Sequence, residues 1–384
     1  MSGRPVRVGV VGQPGRAEVD AHGGVRRSDG AAVEWQLGAA DRWHVPATEP
    51  SLRQRRMGDM PVVETVVRVP GGDAVQRVYA VAEHGGLVVV EVANDSSEPF
   101  ALALLPEGPV VLGSSRPAST VPVEGVTLPA GAQVWPVAHR TSLRVVLPLS
   151  GSRAVLSPGA LPDADAVVRG WLAQSERILR VEVPDDAVMA RLRAARADTL
   201  LDDDPAGALL VGGGRPDEVA AAVFALTRPS RRGQPSGVVG PSTGWALCEA
   251  EATLAAMGEP RAAADVRWFL DRLAPPRVAA APATAPVEVL AEVRGLVVRE
   301  GPTGVELLPD LPVSWLGGPV EAHEIATRHG RVSFAVRWHG ARPALLWECD
   351  RPITLTCPSL GPDWSDGRAR GEALLAGPSA PSFA

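Results

Sequence analysis

The apolar residues of this chain change their spacing twice, and this change limits the folds that are open to it. Before residue 150, short β-branched runs alternate with turn-forming Gly, Asn, Asp and Pro. Between residues 164 and 274, apolar positions recur every three or four residues, the period of an amphipathic helix. From residue 287 the strand-type spacing returns and continues to about residue 356. The chain is therefore predicted to be a multidomain α and β protein, with its helices in the middle.

Residues 1–150 are predicted to form an N-terminal antiparallel β-sandwich. Residues 62–69 and 76–82 are rich in valine and are separated by the turn Pro70-Gly71-Gly72-Asp73. Further strand-type runs follow at 87–92, 100–105, 121–128, 132–137 and 142–149. Turns that recur so regularly, with no helical period between them, are typical of an antiparallel sandwich.

Residues 151–275 are predicted to form a short region of α-helical hairpins. Asp185 can cap a helix at its N-terminus, and Pro216 stands at the first turn of the next helix. Two later helices, separated by Gly258, are expected to pair as a tight hairpin. The remaining segments are predicted to be an Ala/Pro-rich linker at 276–290, a small C-terminal β-sandwich module at 291–358 and a disordered tail at 359–384.

The most specific stretch of the chain is residues 331–348, which reads RVSFAVRWHGARPALLWE. Every second residue from Val332 to Trp338 is apolar, the period of a half-buried strand, and a second apolar run follows the turn. Together with the LPDLPVSW segment at 308–315, this stretch resembles the β-module that closes many bacterial α/α-toroid, or six-hairpin, glycosidases. That group includes glucoamylase-like hydrolases and disaccharide phosphorylases. The turns between residues 65 and 105 resemble the N-terminal sandwich of the same group.

The resemblance implies a glycosidase architecture with a shortened helical domain. Enzymes of this kind need two carboxylates across a cleft, one to protonate the leaving oxygen and one to activate water or phosphate. The helices predicted between residues 185 and 274 are too few to close the toroid, and neither family carboxylate has a matching position. We therefore expect a glycosidase-like pseudoenzyme with no catalytic residues, in a carbohydrate-associated or scaffold role. The alternatives are an active glycoside hydrolase or phosphorylase with a minimal helical domain, and a protein-interaction module that binds no sugar.

Four residues are candidates for contact with a carbohydrate, namely Trp245, Glu249, Glu251 and Trp315. An indole offers a flat apolar face to sugar C–H groups, although burial in a core is the simpler explanation for each of the ten tryptophans. Glu249 and Glu251 are two positions apart on one predicted helix, so they do not share a face. For each, a solvated helix face is the simpler explanation. The acidic run at 202–204 lacks the spaced ligands of a calcium loop and is interpreted as a turn.

Charge and cysteine content argue against several other classes of protein. The net charge is −6, and the 38 positions counted as lysine or arginine are all arginine, a bias typical of a GC-rich genome. This balance does not favour a nucleic-acid partner. Three cysteines without paired spacing argue against a disulfide framework and a zinc site, and no cofactor motif is found. With no long apolar run and no signal-peptide pattern, the chain is predicted to be cytoplasmic and to have no membrane partner.

Overall fold

The computed structural model describes residues 4–108, 112–114, 116, 128, 131–150, 158, 160–212, 214–227, 241–272 and 283–377. The chain divides into two compact units, Met1–Ala173 and Gln174–Ala384. Each unit has its own hydrophobic core. The boundary lies within a helix, whereas the sequence places the end of the N-terminal part at residue 150.

The described part of the first unit contains thirteen strands. They are β1 (Val6–Gly9), β2 (Arg16–Val19), β3 (Val25–Arg27), β4 (Ala32–Gly38), β5 (Trp43–His44), β6 (Arg53–Arg56), β7 (Val63–Val69), β8 (Gly72–Val81), β9 (Leu87–Asn94), β10 (Phe100–Glu107), β11 (Gly113–Ser114), β12 (Gln133–Val137) and β13 (Ser142–Pro148). Short 3₁₀ turns occur at Pro46–Thr48, Met57–Asp59 and Glu83–Gly85. Helix α1 (Ala164–Ser175) follows the last strand.

These strands form two antiparallel sheets that share one core. The first sheet has the order β1-β2-β3-β4-β10-β12, with β5 also paired to β4, and the second has the order β11-β13-β9-β8-β7-β6. Trp35 and Trp135 of the first sheet and Val78 and Val90 of the second belong to a single buried cluster. The predicted antiparallel, strand-rich architecture before residue 150 is therefore confirmed. The strand predicted at 121–128 lies outside the described residues except for its last position.

A row of alternating charges crosses the second sheet, and we call it the charge ladder. Its members Arg55, Glu64, Arg77, Glu91 and Arg144 are direct cross-strand partners on five successive strands. Each glutamate contacts an arginine on both sides, at distances from 2.5 to 3.4 Å. Burial would raise the pKa of Glu64, but hydrogen bonds from Arg55 and Arg77 outweigh it and lower the pKa. Because opposite charges meet only in this alignment, the ladder favours the observed register.

The second unit contains six helices and nine strands among its described residues. The helices are α2 (Asp186–Leu201), α3 (Pro205–Val211), α4 (Pro216–Thr227), α5 (Pro241–Ala256), α6 (Pro260–Leu270) and α7 (Pro286–Val297). The strands are β14 (Arg180–Glu182), β15 (Val298–Glu300), β16 (Val305–Leu307), β17 (Val320–Thr327), β18 (Gly330–His339), β19 (Arg342–Cys349), β20 (Leu355–Cys357), β21 (Gly361–Asp366) and β22 (Arg370–Leu374). A 3₁₀ turn lies at Val313–Trp315.

The strands of the second unit form two further sheets that share a core with the helices. One sheet has the order β14-β17-β18-β19-β22 and is antiparallel throughout. The other has the order β15-β16-β20-β21, in which β16 and β20 run parallel. Leu247 of α5, Leu290 of α7, Phe334 of β18 and Leu355 of β20 belong to one buried cluster. The helices and the C-terminal strands therefore fold around a common interior.

Several local predictions in this unit are confirmed. The Asp185 carboxylate accepts hydrogen bonds from the backbone N–H groups of Ala187 and Val188, at 3.0 and 3.1 Å, so it caps α2 as predicted. Pro216 begins α4, and the contacting helices α5 and α6 form the predicted hairpin on either side of Gly258. The alternation in 331–348 corresponds to β18 and β19, which pair in antiparallel register.

The prediction that strands resume at residue 287 is wrong, because Pro286–Val297 forms helix α7. Pro286 occupies the first turn, and the buried positions Val287, Leu290, Ala291 and Arg294 follow the helical period. The high valine content of this segment made it resemble a strand, but the periodicity and the contacts with α2 and α5 determine its structure. Residues 286–290 of the predicted linker therefore belong to a buried helix.

The prediction of a disordered tail from residue 359 is wrong for the part that is described. Strand β22 pairs with β19, and β21 pairs with β20. The indole of Trp364 on β21 packs edge-on against Trp347, with ring centroids 5.3 Å apart. Pairing and this aromatic contact stabilise a segment whose composition alone suggested disorder. Residues 378–384 lie outside the described part of the chain.

The alternation in β18 predicts that Trp338 is buried on the inner face together with Phe334 and Val336, and this prediction needs a smaller correction. Phe334 and Val336 are buried on the inner face of β18 as expected, but Trp338, which shares their parity, is only partly buried. It lies opposite Pro343, next to the turn that joins β18 and β19. At this end of the sheet the core no longer covers the whole indole.

Candidate functional site

Three of the four candidate sugar-contact residues lie on helix α5, in the second unit. This helix contacts α3, α4, α6, α7 and strand β17. Trp245 is 2% exposed, and its indole N–H donates to the Glu249 carboxylate, with 3.2 Å between the nitrogen and Oε1. The two residues are four positions apart, so they lie on one face of the helix. This hydrogen bond therefore fixes the Trp245 indole and the Glu249 carboxylate relative to each other.

Glu249 also connects α5 to the adjacent sheet. Its other carboxylate oxygen lies 2.9 Å from the Arg331 guanidinium on β18. Arg331 donates a second hydrogen bond to the backbone carbonyl of Glu324, at 2.8 Å. Glu324 has a φ of 56° and lies where the register of β17 and β18 shifts, which is the signature of a β-bulge. The bulge turns this carbonyl toward Arg331, which then bridges strand and helix.

Glu251 contacts a different arginine. Nε and Nη2 of Arg267, on α6, donate to the same Glu251 oxygen at 3.1 and 2.7 Å. Arg267 also donates to the backbone carbonyl of Arg328. Glu249 and Glu251 therefore make contacts in different directions, consistent with their spacing of two residues.

A third, more deeply buried carboxylate lies close to these residues. Glu300 on β15 is contacted by Arg294 at 2.5 Å and by Arg328 at 3.0 Å. Arg294 also donates to the backbone carbonyl of Ala326, at 2.8 Å, and its guanidinium carbon lies 5.7 Å from the Trp245 ring centroid. Burial alone would raise the pKa of Glu300, but the charges and hydrogen bonds of Arg294 and Arg328 outweigh it and lower the pKa.

We call this group the arginine–glutamate cluster, and it joins α5, α6 and α7 to strands β15 and β18. Its members are Glu249, Glu251, Glu300, Arg267, Arg294, Arg328 and Arg331. Cys248 lies buried among the same charges, and burial, the largest cause, raises the pKa of its thiol. Every carboxylate of the cluster contacts a guanidinium. Such an arrangement holds elements together, whereas a general acid of a glycosidase must face the leaving oxygen of its substrate.

The fourth candidate, Trp315, lies elsewhere in the second unit. It is 1% exposed, and its indole N–H donates to Asp185, the capping residue of α2, at 3.4 Å. The hydrogen bond from the Val188 backbone N–H is the largest cause that lowers the pKa of Asp185, and the hydrogen bond from Trp315 lowers this pKa further. Trp315 thus contributes to the cap of α2, whereas Trp245 bonds within α5. The structure brings Trp245 and Glu249 together and assigns Glu251 and Trp315 to separate contacts.

Most tryptophans lie in hydrophobic cores, which the sequence analysis gives as the simpler explanation for their presence. Six of the ten are buried, namely Trp35, Trp135, Trp171, Trp245, Trp315 and Trp347.

Asp204, the last residue of the acidic run at 202–204, caps α3 by accepting a hydrogen bond from the Ala206 backbone N–H. Within the described residues, no group of three or more His, Cys, Asp and Glu side chains could hold a metal ion. No described helix is long and apolar enough to span a membrane.

Sequence reasoning missed the arginines that pair with these carboxylates. Arg294 was missed because its segment was interpreted as linker and strand. Within a helix, an arginine in the stripe formed by Leu290, Ala291 and Val297 indicates a buried partner. The partner, Glu300, is the last residue of the next strand, β15. A correct assignment of α7 would therefore have indicated this pair.

A search against protein-family models finds no match to this chain, and a search of the curated proteins finds no significant relative. The resemblance to the toroid glycosidases stays a prediction.

Proposed function

We propose that this protein is a glycosidase-like scaffold without catalysis, in a carbohydrate-associated role. The observation that carries this proposal is the pairing of Glu249, Glu251 and Glu300 with arginines. Catalysis of glycoside transfer needs one carboxyl group that protonates the leaving oxygen and a second that faces water or phosphate. In the arginine–glutamate cluster Glu249 and Glu300 instead link helices to strands, and Glu251 links two helices. This use of acidic side chains favours a structural role for α5.

The order of elements supports the same proposal. An antiparallel two-sheet unit comes first, a set of helices follows, and strands that are antiparallel except for the β16–β20 pair close the chain. We interpret the two-sheet unit as the N-terminal β-sandwich, and the last strands as the small β-module, of the resembled glycosidases. The three cysteines are buried free thiols, which fits the cytoplasmic location that we propose.

The decisive assay for catalysis compares wild type with Glu249→Gln and Glu251→Gln on a panel of α-linked disaccharides, with and without phosphate. We expect no turnover by wild type and a lower melting temperature for both variants, because each substitution removes one charge of an ion pair. Turnover by wild type that either substitution abolishes would favour the active hydrolase or phosphorylase instead.

A thermal-shift screen against mono- and oligosaccharides separates the two non-catalytic roles. A ligand that binds the folded state raises the melting temperature by mass action. We expect a concentration-dependent rise with at least one sugar. Trp268 on α6, which is 56% exposed, is the most exposed tryptophan, so Trp268→Ala tests whether its indole is the contact surface. No rise with any sugar would favour the protein-interaction module.

A further inference from the structure

Strand β22 is the edge of the five-stranded sheet of the second unit. It pairs with β19 on one side, and no strand of the described part of the chain pairs with it on the other side. An edge strand presents a row of backbone N–H and C=O groups to which a further strand can bond. The outer edge of β22 is therefore open to strand addition.

The ladder between β19 and β22 shows which backbone groups point outward. At one end, the Cys349 N–H donates to the Ala369 carbonyl at 2.6 Å, and at the other end the Leu375 N–H donates to the Pro343 carbonyl at 2.9 Å. In an antiparallel ladder only every second residue bonds to the neighbouring strand. The odd-numbered residues of β22 therefore bond to β19, and the N–H and C=O groups of the even-numbered residues point away from it.

Two of the even-numbered residues, Arg370 and Glu372, carry opposite charges. Both are exposed, and neither forms an ion pair with another described residue. Gly371 lies between them on the opposite face of the strand, where an added Cβ would lie 2.4 Å from the Trp347 indole. The edge thus presents one basic and one acidic side chain on a single face, on either side of a glycine.

This order of charges is complementary to itself. If two copies of β22 run antiparallel about a two-fold axis at Gly371, Arg370 of each copy lies directly opposite Glu372 of the other. Both residues point their backbone groups outward, so each pair can exchange two backbone hydrogen bonds and join opposite charges on the same face. A register centred on Glu372 would place two glutamates opposite each other, which is unfavourable. Charge complementarity therefore selects the axis at Gly371.

We propose that the outer edge of β22 is a homodimer interface, on which a second copy of this chain pairs its own β22 in antiparallel register about Gly371. The paired segment is short, so the dimer is weak and depends on protein concentration. The interface does not depend on the proposed function, because neither α5 nor the arginine–glutamate cluster contributes to it.

Sedimentation equilibrium of the full-length protein from about 1 μM to 1 mM, the range of weak association, measures the dimer. Glu372→Arg places two arginines opposite each other at both pairs, so we expect the dissociation constant to rise on the order of tenfold or more. The double variant Arg370→Glu with Glu372→Arg exchanges the two charges and should restore the wild-type constant. Only pairing of β22 with itself carries both changes, so the restoration distinguishes this dimer from binding to any other strand.

A proline tests the backbone hydrogen bonds separately from the charges. Because the N–H of Glu372 points outward, Glu372→Pro removes one donor from the dimer and none from the ladder with β19, and proline is tolerated at such edge positions. We expect this variant to be monomeric over the same concentrations and to keep the wild-type circular dichroism spectrum.

Glu288→Arg is the matched control, because it makes the same charge change at an exposed position of α7 and should dimerise like wild type. A wild type that stays monomeric up to 1 mM would overturn the proposal. So would an unchanged dimer in Glu372→Arg, or a double variant that stays as weak as Glu372→Arg while its circular dichroism spectrum shows that it is folded.

Discussion

Replacing Glu300 with glutamine tests whether the arginine–glutamate cluster stabilises the second unit. The Glu300 side chain is 6% exposed, and its partners Arg294 and Arg328 are 8% and 18% exposed. Glu300→Gln keeps the shape and removes the charge, which leaves two guanidiniums without this counter-charge. Breaking a buried ion pair costs about 3–5 kcal/mol. Since Arg294 keeps its bond to the Ala326 carbonyl and Arg328 reaches some solvent, we expect about 3 kcal/mol.

Urea unfolding of wild type and Glu300→Gln measures this difference, with the slope m as a check that the same surface is exposed. Glu306→Gln is the matched control, because Glu306 contacts Arg299 at 3.4 Å on the surface of the neighbouring strand. The control should change the unfolding free energy by about 0.5 kcal/mol or less. If Glu300→Gln falls within the range of the control, the cluster does not hold these elements together.

The pH dependence of the same variant gives an independent check. The pKa of Glu300 is lowered in the folded state, so its contribution is present above the unfolded pKa and is lost as pH falls through the folded pKa. The difference between wild type and Glu300→Gln should therefore shrink in acid. A difference that grows as pH falls would contradict the assignment of Glu300 as an ionised partner.

Two further predictions concern the charge ladder and strand β18. Because Arg55 and Arg77 help to lower the pKa of Glu64 against burial, the first unit should lose stability below about pH 4.3, and Glu64→Gln should flatten this loss in acid unfolding curves. If Glu64→Gln loses stability in acid as steeply as wild type does, the charge ladder does not stabilise the first unit. Phe334→Ala should cost about 3–5 kcal/mol in urea unfolding, but Trp338→Ala only about 2 kcal/mol, because its indole is partly buried. Equal losses would place Trp338 in the core.

The parts of the fold that sequence predicted are those that depend on near neighbours. The alternation in β18 and the cap at Asp185 depend on residues one to three positions apart, and both are observed. Helix α7 was missed because β-branched residues have a strand preference that tertiary packing overrode. Strand β4 was missed although Val33, Trp35 and Leu37 alternate, because it lies among charged turns.

In the candidate site, too, sequence can predict contacts between near neighbours but not contacts between distant positions. Trp245 and Glu249 are four residues apart on one helix, so their contact could have been predicted from spacing alone. The contact of Glu249 with Arg331 joins positions 82 apart, and no local pattern specifies it. Such a pair depends on how a helix packs on a sheet, which periodicity does not determine.

The chemistry of arginine explains the ion pairs that Glu249 and Glu251 of α5 make. The guanidinium presents five donors in a rigid fork, so one side chain can bind a carboxylate and a backbone carbonyl together. Arg331 does this with Glu249 and the Glu324 carbonyl, and Arg294 with Glu300 and the Ala326 carbonyl. Lysine would supply a single charged point and could not fix both partners in one plane. All 38 lysine-or-arginine positions of the chain are arginine, which the sequence analysis attributes to genomic bias. These arginines also supply the contacts that favour a structural role for α5.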